Sequence, residues 1–292
     1  MTRGTKIAGS RVLITGAGSG IGRLMALDAA SRGAAEVLIW DLSTEAGQRV
    51  ADEISATGSQ ARSFTVNVAD AKQVAVIAED TGPVDVLINC AGIVTGTKLL
   101  EADEAAIRRV YDVNTLALYW VTRAFLPGMI ERDRGSVVTI SSAAGFVGVA
   151  RQTDYSASKF AAVGFTESLR AELRADGHNV NTLVVCPFYI NTGMFEGVTT
   201  KFPRLLPILE ETNVATNVLD SIESGREQLA MPSLVRILPG ARMLPTRAFD
   251  KLMDFLGVNK TMDHFTGRRP VVAERNTASP AAEITDPAPT AR

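Results

Sequence analysis

The stretch YSASK places Tyr155 and Lys159 at i and i+4 of a helical pattern, hence on one helix face. A phenol with a pKa near 10 is a poor base at neutral pH. An ammonium about 4 Å away, at an effective dielectric near 20, is worth roughly 4 kcal/mol, enough to lower that pKa by up to about three units. Such a pair can pass a proton to or from an alcohol or carbonyl oxygen, although i,i+4 pairs are also common on exposed helices. Thirteen residues before the tyrosine, TISSAAG supplies Ser142, whose hydroxyl can hydrogen-bond the same substrate oxygen. An ordinary serine-rich turn is the alternative, and Ser141 is a competing neighbour.

A second set of residues suits a dinucleotide. VLITGAGSGIGRL (12–24) is an apolar run that breaks into a glycine turn and resumes with helical spacing. Gly16, Gly18, Gly20 and Gly22 alternate, so the loop alone leaves several phosphate-binding readings open. Gly16 follows the strand, and Ser19, Gly20, Ile21 and Gly22 form the helix mouth, where free N–H groups and the helix dipole favour a pyrophosphate. Gly18 reads as incidental. Asp41 ends the next apolar run, VLIWD, nineteen residues after Gly22. Its carboxylate can accept from both hydroxyls of an adenosine ribose and repels a 2′-phosphate. Neither the glycine loop nor Leu42 and Ser43 offers a basic partner for that phosphate, so NAD is expected over NADP. Capping the next helix is the other role open to Asp41, though Ser43 or Thr44 can supply that cap. Asn67 and Val68, after the third run, can meet adenine. Asn89, Ala91 and Gly92, after the fourth, can border the second ribose.

These residues must be positioned by repeating elements. Near-continuous apolar runs at 11–15, 36–40, 62–66, 85–89, 136–140 and 181–186 read as strands buried on both faces. Helical spacing fills 20–32, 44–57, 70–80, 103–132 and 155–175 between them. The alternation predicts an α/β fold: a single-domain, doubly wound parallel sheet of the Rossmann type with helices on both faces. One domain is expected over 1–270. Residues 271–292, rich in Pro, Ala, Ser and Thr, are expected to be a disordered tail. The formal charge of −2 argues against a nucleic-acid partner, which would call for a basic surface. No metal is expected. Cys90 and Cys186 both lie in apolar runs and read as buried thiols of a reducing compartment. With no apolar leader in MTRGTKIAGS, a cytoplasmic location is expected.

The set TGAGSGIG, NCAG and SS…YSASK, in this order and spacing, resembles the short-chain dehydrogenase/reductase family. The opening loop then reads T-G-x-x-x-G-x-G on Thr15, Gly16, Gly20 and Gly22. The resemblance implies a catalytic tetrad of Asn114, Ser142, Tyr155 and Lys159. It gives proton transfer to the tyrosine and the substrate oxygen to the serine. The lysine lowers the tyrosine pKa and binds the nicotinamide ribose, and the asparagine holds a relay water. It also places Pro187, Ile190 and Thr192 of CPFYINTGMF beside the nicotinamide, although Phe188 stands where the family usually has glycine and Asn67 where it commonly has aspartate. VCPFYINTGMF and the later ILP…LP…FLGVNKTMDHFTGR are similar to the retinol and 17β-hydroxysteroid dehydrogenase subgroup, without its N-terminal hydrophobic anchor. A homodimer or homotetramer built on helices 103–132 and 155–175 is implied.

The family places a substrate lid at about 193–257. Met194, Phe195, Val198, Phe202, Leu205 and Leu206 suit a lipophilic alcohol (retinoid, steroid or long-chain), unless they only cover the core. Arg204 and Glu210 can reach a polar headgroup. Arg236, Arg242, Arg247 and Lys251 are interleaved with apolar residues; packing on the protein's own domain or a partner subunit is favoured over contact with a membrane surface. The expected activity is NAD-dependent oxidation or reduction of a lipophilic alcohol or carbonyl compound. The competing readings are an NAD(H)-sensing binding protein without turnover and a lipid-surface structural protein.

Overall fold

The computed structural model describes residues 4–267. The tail expected over 271–292 lies outside the described residues. Seven parallel strands form one sheet in the order β3-β2-β1-β4-β5-β6-β7. They are β1 (Arg11–Thr15), β2 (Glu36–Asp41), β3 (Ala61–Thr65), β4 (Val86–Asn89), β5 (Gly135–Ile140), β6 (Val180–Pro187) and β7 (Gln228–Met231). The four strands β1, β2, β4 and β5 carry side chains that are almost wholly buried, as the continuous apolar runs require of strands covered on both faces. The six strands expected from the sequence are found within one or two residues of their runs. β7, short and beginning with the exposed Gln228, lacks such a run.

Helices cover both faces: α1 (Gly20–Ser31), α2 (Thr44–Ser55), α3 (Ala71–Thr81), α4 (Glu104–Tyr111), α5 (Ala117–Glu131), α6 (Thr153–Ala175), α7 (Glu211–Glu223), α8 (Leu238–Ala241) and α9 (Thr246–Leu256). Several starts are fixed by local chemistry. Ser43 accepts from the Ala46 N–H at α2, Asp70 from the Lys72 and Gln73 N–H groups at α3, and Asp103 from the Ala106 N–H at α4. The helix expected over 103–132 is interrupted: Asp112–Leu116 forms a π-helical turn between α4 and α5. One extra residue per turn keeps the apolar periodicity nearly intact, so the sequence pattern reads straight through it. The stretch 193–257 is likewise divided. Within it α7 packs beside α1, where Arg32 pairs with both Asp220 and Glu223, and β7 completes the sheet.

Strand order reverses between β1 and β4, so a crevice opens at their carboxyl ends. Thr15 closes its floor: its buried hydroxyl accepts from the Cys90 and Ala91 N–H groups at 3.0 and 3.1 Å, joining the ends of β1 and β4.

Candidate active site

The crevice holds an elongated cavity. Its wall includes Gly16, Ser19, Gly20, Ile21, Gly22, Asp41, Leu42, Asn67, Val68, Ala91, Gly92, Ser142, Tyr155, Lys159, Pro187, Ile190 and Thr192. Of the expected residues only Asn89 and Asn114 stand outside it. The sequence reading also missed wall residues, among them Ile93 and Val113.

The glycine loop is built for close approach. A Cβ on Gly22 would lie 2.3 Å from the Gly16 carbonyl oxygen, and one on Gly16, whose φ is +68°, would lie 2.9 Å from the Ala91 Cα. Gly20, at φ +54°, faces the Thr192 side chain across the cavity, 3.6 Å from where its own Cβ would sit. Gly18 is not incidental. Its N–H donates to Asp41 Oδ2 at 2.8 Å, and a Cβ there would meet the Asp41 carboxyl carbon at 2.8 Å and the Ala46 Cβ at 2.9 Å. The other Asp41 oxygen accepts from the Ser43 N–H at 2.9 Å. Asp41 therefore does not cap α2, which Ser43 does. Two backbone N–H groups fix its carboxylate at the cavity wall, leaving lone pairs on both oxygens. This glycine cradle opens onto the N-terminus of α1, which has no acidic residue in its first turn. A pyrophosphate fits that donor set, with Asp41 within the same wall to take a ribose. Asn67 Oδ1 is engaged by the Ala69 N–H at 3.1 Å, which orients its amide.

Asn89 is displaced from the role expected of it. Its side chain is 4% exposed and its Nδ2 donates to Thr122 Oγ1 at 3.2 Å, tying β4 to α5 rather than bordering a ribose. Asn114, in the π turn, is also buried. Its Oδ1 accepts from the Ile93 N–H at 2.8 Å, and its Nδ2 donates to the Ile93 carbonyl at 2.9 Å and to Ser158 Oγ at 3.1 Å. The asparagine thus clamps the loop after β4, one layer behind Gly92.

At the far end, α6 and β5 bring together the proton-handling groups. Lys159 Nζ donates to the Ile140 carbonyl at 2.9 Å and stands 5.6 Å from the centre of the Tyr155 ring. Ser142 Oγ accepts from the Ala144 N–H at 3.1 Å, whereas Ser141, in the same wall, has its hydroxyl proton committed to the Lys159 carbonyl at 2.8 Å. The competing serine is thereby assigned a structural role.

Electrostatics at this end differ from the simple pair expected. Burial raises the Tyr155 pKa above that of an ordinary phenol; a hydrogen bond with Ser142 opposes the rise and Tyr189 adds to it. Burial also pulls Lys159 down to about 8, partly offset by Cys90 and Cys186. Desolvation is the leading influence on both groups, because each charged form loses its water on burial. In the protein alone, Tyr155 is a protonated phenol at neutral pH. Burial likewise raises both cysteine thiols to about 12, so neither is a thiolate.

A second, nearly all-apolar pocket adjoins the first, enclosing about 900 Å³ of space that is partly open to solvent. Ser142, Phe188 and Phe195 belong to both walls. The Phe195 ring meets Tyr155 edge-on at 5.8 Å. Of the lipophilic residues expected near a substrate, Phe195 and Leu206 line this pocket and Met194 lines the first. Val198 is buried in the adjacent apolar cluster, Phe202 stacks on Phe255, and Leu205 is half exposed. Arg204 and Glu210 are in neither wall. Much of the remaining wall comes from 234–258, including Leu234, Leu238, Leu252 and Met253. From that stretch these side chains turn inward and Arg242 donates to the Phe146 carbonyl at 2.7 Å, whereas Met243, Leu244 and Phe255 are exposed. Among the described residues no helix is long and apolar enough to cross a membrane.

The family model described as short chain dehydrogenase matches residues 10–202. Epidermal retinol dehydrogenase 2 of Mus musculus is 41% identical over 270 residues, covering 90% of this chain and 87% of the relative. Retinol dehydrogenase 10 of Homo sapiens is 35% identical over 305 residues, covering 93% and 89%. Among solved structures, a short chain dehydrogenase/reductase from Burkholderia phymatum in complex with NAD superposes with a TM-score of 0.74 at 27% identity, covering 82% of this chain and 95% of that one. A metagenomic short-chain oxidoreductase in complex with NADP gives 0.64 at 29% identity, covering 77% and 96%. The sheet order, the glycine cradle and these matches agree: the chain belongs to the short-chain dehydrogenase/reductase family and is an oxidoreductase related to the retinol dehydrogenases.

Proposed function

We propose that the protein is an NAD-dependent oxidoreductase acting on a lipophilic alcohol or the corresponding carbonyl compound. One observation carries the reading: Ser142, Phe188 and Phe195 are shared by the glycine-cradled cavity and the apolar pocket, with Tyr155 at the junction. A nicotinamide bound in the first cavity supplies the hydride acceptor or donor. Every other part of the task falls to the chain. The cradle of Gly16, Gly20 and Gly22 and the α1 N-terminus bind phosphates, and the Asp41 carboxylate selects a ribose without a 2′-phosphate. Phe195 and Leu206 exclude water and hold the apolar body of the substrate.

Ser142 Oγ, aligned by the Ala144 N–H, receives the substrate oxygen beside the phenol. In the reducing direction the Tyr155 hydroxyl gives its proton to that oxygen, and burial keeps the phenol protonated until then. In the oxidising direction the phenol must first release its own proton to solvent; the phenolate, stabilised by the Lys159 ammonium, then takes the alcohol proton. Asn114 holds the loop carrying Gly92 and Ile93 against these groups. The half-exposed Tyr119 on α5 and Phe160 on α6 support a homo-oligomer through these helices, which light scattering of the purified chain would test.

The test is an NAD-linked screen across retinoids, hydroxysteroids and aliphatic secondary alcohols, read by NADH absorbance, with Tyr155→Phe as control. Turnover of lipophilic alcohols that vanishes in the variant while NAD still binds is expected. Binding of NAD without turnover of any of them would instead favour a cofactor-sensing protein.

A further inference from the structure

The apolar pocket contains an amide that its surroundings do not explain. Among the described residues, the wall has only three polar side chains: Ser142 at the reacting end, Gln152 and Tyr189. Gln152 is 1% exposed and occupies the N-cap position of α6, yet its side chain makes no capping hydrogen bond. Helix starts favour Ser, Thr, Asp or Asn, whose short side chains reach the first free N–H groups. The glutamine side chain instead turns into the pocket wall.

There its donors are poorly matched. Gln152 Nε2 reaches the Tyr189 hydroxyl only at 3.5 Å, and its other neighbour is the Met262 sulfur at 3.0 Å, a weak acceptor. The direction of the chain beyond is settled by the next link. Thr261 Oγ1 donates to the Val258 carbonyl at 2.8 Å, so in the 2.8 Å contact between Thr261 and Tyr189 the phenol is the donor. The Tyr189 proton is thus committed inward, leaving its oxygen as an acceptor. Packing of the Tyr189 ring on Phe188 and Phe195 holds that oxygen in place. Together the pair offers a donor on Gln152 and an acceptor on Tyr189, which is the complement of a hydroxyl group. A carbonyl oxygen would use the Gln152 donor alone.

We infer that Gln152 and Tyr189 form a polar subsite for a second oxygen of the substrate, separate from the one on the carbon that reacts. This rests on the function proposed above and narrows its substrate class to lipophilic alcohols that carry a further hydroxyl or keto group. An oxygen placed there replaces a long contact and a thioether with properly matched hydrogen bonds, whereas a plain hydrocarbon leaves the buried amide poorly paired. Sites built to bond a hydroxyl reject analogues that lack it.

The test uses the full chain with NAD and a series of long-chain secondary alcohols of equal length. One member is unsubstituted, and the others carry a second hydroxyl or ketone at successive carbons. For the parent, at least one oxygenated member should have a kcat/KM ten or more times that of the unsubstituted alcohol. In Gln152→Met, similar in size but without the amide, that ratio should fall at least tenfold, mainly through KM. Tyr189→Phe, which keeps the ring packing, is the second variant and should move the ratio in the same direction. Calorimetric binding of the same alcohols to the NADH complex is an arm independent of turnover. Tighter binding of the oxygenated member that is lost in Gln152→Met supports the subsite even if no alcohol is turned over, in which case only the proposed reaction fails. A parent with no preference in either arm overturns the subsite. So does a Gln152→Met protein in which both alcohols weaken equally, since that is the signature of a structural role.

Discussion

Lys159 is held in the fold at a cost that can be measured. Its ammonium is buried, and burial lowers its pKa from 10.5 to about 8. At roughly 1.4 kcal/mol per pH unit, that difference corresponds to about 3 kcal/mol of disfavoured charge. The sign follows from proton counting. Between pH 8 and 10.5 the unfolded chain keeps the lysine proton while the folded protein has lost it, so this group makes stability rise with pH across that window. Below pH 8 both states are protonated and the full penalty applies. Above 10.5 neither is, and the penalty is gone. Lys159→Met removes the titrating group while keeping the length of the side chain. It also leaves the Ile140 carbonyl without its 2.9 Å donor, a loss of about 1–3 kcal/mol that does not vary with pH. The absolute change at one pH is therefore a balance, but its pH dependence isolates the buried charge. Urea unfolding of parent and variant without cofactor, at intervals from pH 7 to 10.5, should show the parent gaining about 3 kcal/mol relative to the variant over that range. A stability difference that stays flat from pH 7 to 10.5 would refute the argument that burial dominates this site.

Other substitutions test the cofactor end. Gly18→Ala puts a methyl 2.8 Å from the Asp41 carboxyl carbon, so the loop must move; NAD affinity is expected to fall at least tenfold by fluorescence titration, with unfolding midpoints also lowered. Asp41→Ser removes the carboxylate that excludes a 2′-phosphate, and the NAD-to-NADP ratio of kcat/KM should shift toward NADP by about tenfold or more, about 1.4 kcal/mol. Part of the NAD loss will come from the freed Gly18 and Ser43 N–H groups, so the ratio is the quantity to follow. Asn114→Leu should detach the loop at Ile93, lowering stability by about 2 kcal/mol or more in unfolding experiments, because three hydrogen bonds of a buried side chain are lost.

The sheet was legible because its central strands are buried on both faces, and that condition writes continuous apolar runs into the chain. β7 escaped notice since four residues led by an exposed glutamine carry no such run. The π turn at 112–116 was hidden because it preserves helical periodicity while shifting the phase by a single residue. Most of the site was readable from positions that follow strands, which is where a doubly wound sheet opens its crevice. What spacing could not reveal were contacts through space. The bond from Gly18 to Asp41 spans 23 residues, and the Asn89 side chain turns away toward Thr122 on a helix. Nor could it place 234–258, whose Leu234, Leu238, Leu252 and Met253 join Phe188 and Tyr189 in one apolar cluster as pocket wall.

The central claim is that Tyr155 moves the proton while hydride passes between a nicotinamide and a lipophilic alcohol. The most direct measurement is isotope transfer from NADH deuterated at the transferring position, incubated with the carbonyl forms of the screened alcohols and analysed by mass spectrometry. The account predicts deuterium on the carbinol carbon of at least one lipophilic product with the parent protein, and none above background with Tyr155→Phe, both binding NADH. Equal labelling by parent and variant, or NADH binding by the parent with no label in any product, would contradict it.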